Sequence, residues 1–163
     1  MVALALVGCS GTNYDDLPSC LVGTWNGNPS EMEPWLAHML SEDGDVSLTV
    51  SGTQTQTFQA DGSYDLYTDI AIDLASNGPG DDAFEQGTAE GTWTLEGDRL
   101  TLTYASTDIM VWSAHDHFYS TMQDGTYLVT CSATTLTSTE DPTTLPADTP
   151  DSLRNIVYTS QRK

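Results

Sequence analysis

Apolar residues alternate with threonines along much of the chain, most cleanly from Gly91 to Tyr104. Trp93 and Leu95 precede the pair Gly97-Asp98, and Leu100, Leu102 and Tyr104 follow it. A Gly-Asp pair between alternating runs marks a tight hairpin, because two-residue turns need positive φ, where glycine is comfortable. With Gly97-Asp98 as the loop, Leu95 faces Leu100 and Trp93 faces Leu102. Apolar then meets apolar on one face, and threonine meets threonine on the other. The same logic predicts a hairpin around Ala60-Asp61-Gly62, with Gly62 left-handed and Phe58 opposite Tyr64.

Further strands are predicted at 21–27, 46–50, 64–74, 109–121, 126–131, around Leu136, and at 155–159, with loops at 77–82 and 140–151. Asp124-Gly125 reads as a turn joining 109–121 to 126–131. A two-residue loop there pairs Phe118 with Cys131 and Met122 with Tyr127. A three-residue loop pairs His117 with Cys131 instead. The first register matches more apolar partners and leaves the histidines on the opposite face. One helix breaks the β pattern: Met32, Trp35, Leu36, Met39 and Leu40 form a single stripe. Ser30 and Glu33 have the spacing of a capping box ahead of it, and Pro34 falls in its first turn.

Eight or nine strands joined mostly by hairpins must hide their edges, and closure does so. The expectation is an all-β protein: a closed up-and-down antiparallel β-barrel of eight or nine strands, one mouth capped by the short helix near the N-terminus. Composition agrees, since 163 residues suit one domain and 24 Thr with 15 Ser suit half-exposed pleats.

Charge narrows the partners. Four basic residues (Arg99, Arg154, Arg162 and Lys163) stand against 24 acidic ones, a net charge of −20. Nucleic acid needs a basic footprint and is excluded as a partner. The acidity reads either as a solvated surface or as a means of capturing a cationic protein, for instance as an inhibitor.

The first residues read as an address. Residues 1–8 are apolar and end in a small residue, like the end of a secretory signal, here a remnant whose true start lies upstream. Leu6-Val7-Gly8-Cys9 resembles a bacterial lipobox, which implies lipidation of Cys9, a tether over residues 9–20 and a barrel domain over 21–163. The other reading is a buried first strand with an ordinary cysteine. Lipidation implies an extracytoplasmic place in the bacterial cell envelope, anchored to the membrane. In that oxidising compartment Cys20 and Cys131 form a disulfide, the alternative being two separate buried thiols.

Gly23-Thr24-Trp25 on the first strand resembles the Gly-x-Trp signature of lipocalin and calycin barrels. The segment from Phe58 to Tyr64 and the Gly97-Asp98 hairpin are similar to repeats of bacterial lipocalin-like lipoproteins. The resemblance implies a basic residue near the chain end packed over Trp25, with Arg162 the first candidate and Arg154 the second. It also implies ligand or surface binding by a lipid-anchored barrel.

Candidate chemistry is sparse. On a strand His115 and His117 share a face and both imidazoles can reach one metal, yet two ligands need a third from elsewhere, such as His38 or a carboxylate. The other reading is a pair of surface histidines. Glu42-Asp43-Gly44-Asp45 and Asp81-Asp82 do not match a calcium-loop spacing. No nucleophile elbow, phosphate loop or dinucleotide fingerprint occurs, so neither catalysis nor a cofactor is expected. The aromatic residues Trp25, Trp93, Tyr64 and Tyr104 point to a barrel interior. Met32, Trp35 and Met39 would form a lid or a plug over a small apolar or amphipathic ligand in a monomer.

Overall fold

Threonine-rich alternation builds most of the described residues into strands. The computed structural model describes residues 17–40, 47–74, 83–113, 117–147 and 149–163. A short helix, α1 (Leu17–Leu21), leads into β1 (Gly23–Gly27). A 3₁₀ turn (Pro29–Met32) then runs into α2 (Glu33–Leu40). Four long strands follow: β2 (Leu48–Phe58), β3 (Ser63–Leu74), β4 (Ala83–Glu96) and β5 (Arg99–Ser113). The remaining strands are short: β6 (His117–Ser120), β7 (Gly125–Cys131), β8 (Thr135–Glu140) and β9 (Val157–Arg162). Among the described residues no helix is long and apolar enough to cross a membrane.

The strands are antiparallel in the order β4-β3-β2-β1-β9-β8-β7-β5, and β5 returns to β4. Eight strands therefore close into a barrel, with β6 added outside the ring on β5. Both predicted hairpin registers form. Trp93 lies opposite Leu102 and Leu95 opposite Leu100, while Phe58 lies opposite Tyr64 with Gly62 at φ +87°. Asp61 holds that second turn by accepting from the Ser63 N–H and hydroxyl at 2.9 and 2.6 Å.

The predicted strand 109–121 does not form as one element. The long β4–β5 hairpin passes a bulge between Glu90 and Gly91 and runs on to Ser113. The chain then folds back, so that β6 pairs with the far half of β5: Trp112 opposite His117, Ile109 opposite Ser120. The near half of that edge is taken by β7, with Leu100 opposite Tyr127 and Leu102 opposite Gly125. Neither register around Asp124-Gly125 exists. Asp124 instead accepts the Tyr104 N–H through Oδ1 at 2.9 Å, covering β5 between its two partners.

The capping box is also replaced. Asn28 stands at the helix N-cap, the Ser30 hydroxyl donates to Asn28 Oδ1 at 2.9 Å, and Glu33 reaches away to β2.

One end of the barrel is closed by packing. Trp25 is fully buried and donates from Nε1 to the Leu21 carbonyl at 2.8 Å. Arg162 lies over its ring, 4.3 Å from the centroid, and donates to the carbonyls of Val22 and Cys20. A Cβ on Gly23 would come within 2.8 Å of Arg162 Nη1, so this glycine leaves room for the guanidinium. The Cys20–Cys131 disulfide ties the same end across 111 residues of sequence, worth about 4 kcal/mol in the chain-entropy model. Leu17 and Leu21 of α1 belong to this core, so within the stretch assigned above to the tether Leu17 is buried and Cys20 is bonded, while Pro18 and Ser19 are exposed.

Removing the Arg162 side chain uncovers Trp25 and frees two carbonyls. We expect Arg162→Ala to lower stability by about 2 kcal/mol in chemical denaturation. Arg162→Lys should recover less than half, because an ammonium cannot fork to both carbonyls. Full recovery by lysine would contradict this account.

Candidate functional site

The barrel wall is uneven. Strands β2 to β5 run for 11 to 15 residues, whereas β7, β8, β9 and β1 have only 5 to 7. At the end away from Trp25, β1 runs out at Gly27, opposite Gln54 and Ser160, and its neighbours lose their common partner. The helical segment that follows fills the gap with carboxylates. Glu33 Oε1 accepts the Val50 N–H of β2 at 2.9 Å, and Glu31 Oε2 accepts the Thr159 N–H of β9 at 2.5 Å. Two charge-assisted hydrogen bonds thus stand where a longer strand would have paired. Leu36 and Ala37 of α2 pack on a second apolar cluster, Leu48, Val50, Ile70 and Ile72, on the overhanging part of β2 and β3.

Beneath this cover the interior is hollow. A cavity of about 270 Å³ lies among Met32, Trp35 and Leu36 of the cover and the inward residues of the barrel strands. The void follows from residue size. The short wall presents Gly27, Ser138 and Ser160, which leave unfilled the space in front of Leu66, Leu100 and Leu102 on the long wall. Nearer the closed end, Trp25, Phe58 and Val129 fill the barrel. An eight-stranded barrel has room to fill itself or to hold one small ligand, and small side chains on three adjacent strands favour the second outcome.

The lining mixes two chemistries. Phe58, Leu66, Leu100, Leu102 and Leu136 are apolar, and four phenols and two carboxylates stand among them: Tyr64, Tyr104, Tyr127, Tyr158, Glu31 and Glu140. Tyr64 donates to Gln56 Oε1 at 3.3 Å and meets the Tyr104 ring edge-on, with centroids 5.9 Å apart. Burial raises the pKa of all four phenols, so each keeps its proton at neutral pH. Glu140 ends β8 directly opposite Tyr127, and burial raises its carboxyl above the usual range. No hydrogen bond or ion pair to this carboxylate is formed among the described residues. Trp35 Nε1 is buried and also has no partner among the described residues.

The site residues expected from the sequence separate into three groups. Tyr64, Tyr104, Met32 and Trp35 line the cavity together. Trp25 and Trp93 lie outside its lining: Trp25 sits under Arg162, and Trp93 donates to the Gln59 carbonyl at 3.0 Å while packing on Phe58. The Met39 side chain, Cys9, His115 and the carboxylates at 42–45 and 81–82 lie outside the described residues. His117 is exposed on β6, the strand that folds back on β5. Among the described residues no three metal-ligating side chains converge. Sequence reasoning missed Glu31, Gln54, Gln56, Tyr127, Glu140 and Tyr158. Alternation was the available signal for Gln54, Gln56, Tyr127 and Tyr158, which lie on strands, whereas Glu31 falls in the 3₁₀ turn and Glu140, expected in a loop, ends β8.

No protein-family model matches the chain, and no curated protein is similar to it.

The buried carboxyl at Glu140 carries a pH signature. Its folded pKa lies above its unfolded one, so the stability it contributes is full below the unfolded pKa and is lost as pH rises through the folded pKa. Glu140→Gln should therefore melt at a higher temperature than the parent at pH 7. That gain should shrink as the pH falls to about 4, where the parent carboxyl becomes neutral. A difference in melting temperature that does not change with pH would contradict this.

Proposed function

We propose that this chain is a non-catalytic binding protein of the lipocalin-like type, enclosing one small apolar or amphipathic molecule in its barrel. The observation that carries the reading is the cavity itself: a largely apolar lining with a few phenols and carboxylates, and a helical cover that is held by two carboxylates. Pockets of this kind orient a ligand with a few polar groups while burying most of its surface. The lipocalin-like assignment is supported by eight-strand closure and by Arg162 over Trp25, the contact that the Gly-x-Trp resemblance implies.

We place the protein at the bacterial cell envelope, tethered through a lipid on Cys9. The lipobox-like sequence at residues 6–9 supports this placement, and the Cys20–Cys131 disulfide fits an oxidising compartment. A diacylated, N-acylated cysteine buries enough CH₂ groups, at roughly 0.8 kcal/mol each, for stable anchoring.

Native mass spectrometry of gently purified protein should show a small-molecule adduct that denaturation releases. Leu102→Trp fills the cavity and should abolish the adduct, and weaken uptake of an apolar fluorescent probe at least tenfold, while the β circular dichroism persists. Unliganded protein that also excludes such probes would overturn the binding function. Metabolic labelling with a radioactive fatty acid should mark the parent and spare Cys9→Ala; equal labelling of both would remove the anchor.

A further inference from the structure

The charges around the cavity carry the binding reading one step further. Among the described residues its lining holds two carboxylates and no lysine, arginine or histidine. The three arginines are engaged elsewhere. Arg99 pairs with Asp141 at 2.5 Å, Arg154 donates to the carbonyls of Pro146, Ala147 and Thr149, and Arg162 covers Trp25. A fatty acid or other anion would enter this pocket without a counter-ion and beside like charge. A neutral ligand would leave Glu140 desolvated and unpaired.

The two carboxylates are not equivalent. Glu31 is occupied, accepting from the Thr159 N–H and from Asn28 Nδ2. Among the described residues Glu140 has no such partner. It lies opposite Tyr127 and close enough to Tyr158 to raise that phenol further. A carboxylate flanked by tyrosine rings suits an ammonium group, which gains Coulomb attraction from the one and quadrupole attraction from the others. The net charge of −20 steers small cations toward the molecule.

We propose that the ligand is a cationic amphiphile, an amine whose head sits at Glu140 between Tyr127 and Tyr158 and whose apolar body lies against Leu66, Leu100 and Leu102. This inference rests on the binding function proposed above. Octylamine carries its charge at neutral pH as a lysine side chain does, so it and its chain-matched relatives octan-1-ol and octanoate isolate the effect of the head group.

The test is calorimetric titration of the whole protein with each compound at pH 7.5 in about 150 mM salt, where long-range surface attraction is screened. Octylamine should bind at least tenfold more tightly than octan-1-ol, and octanoate most weakly. Glu140→Gln should reduce the affinity for octylamine about tenfold and leave that for octan-1-ol unchanged. Asp73→Asn, an exposed acid on β3, should change neither. Equal or tighter binding of octan-1-ol or octanoate would overturn the cationic ligand while leaving the binding function in place, and so would an unaltered octylamine affinity in Glu140→Gln. Failure of all three compounds to bind would overturn both.

Discussion

The structure depends on a mismatch of strand lengths. Closing a sheet requires every strand to find two partners, yet β1 has five residues and the strand beside it, β2, has eleven. Where β1 stops, the Val50 and Thr159 N–H groups would be left without backbone acceptors. Burying an unpaired N–H costs about 1–3 kcal/mol, so something must answer them. Glu33 and Glu31 do, and in doing so they fix the helical cover over the mouth. The same logic recurs on β5, where Asp124 accepts the Tyr104 N–H in the interval between β7 and β6. Acidic side chains here complete the hydrogen bonding of the wall.

The two ends of the barrel consequently obey different rules. The closed end is held by bulk and by covalent and cationic ties: Trp25, Phe58, the disulfide and Arg162. The open end is held by carboxylates and by apolar contact between α2 and the overhang of the long strands. Between them, glycine and serine on the short wall leave the hollow. The loop after β8 is pinned outside the barrel rather than packed into it. Asp141 accepts from the Thr143 N–H and hydroxyl at 2.9 and 2.7 Å, and these bonds, with Arg99 beside them, hold its carboxyl below the usual range.

Much of this was legible in the sequence. Gly97-Asp98 and Gly62 set both hairpin registers, because local turn geometry and two-residue alternation agreed there. The disulfide followed once export was inferred. The run 109–121 misled because alternation continues through a reversal: nothing in the local pattern distinguishes one long strand from two strands folded on each other. The rim was harder still. Ser138 and Ser160 create the void, but in a chain with 15 serines and 24 threonines they carry no mark. Glu31 and Glu33 looked like helix-start residues, and only the shortness of β1 turns them outward to neighbouring strands. Glu140, among 24 acids, becomes distinct only when the fold half-buries its carboxylate in the cavity lining with no partner among the described residues.

The central claim is that the barrel is hollow beneath α2. A crystal structure of gently purified protein, at a resolution that shows ordered solvent, tests it most directly. The account predicts density separate from the chain, a ligand or water, in the space between Leu102 and the phenols of Tyr64, Tyr104, Tyr127 and Tyr158. Met32, Trp35 and Met122 turned inward to fill that space would contradict it.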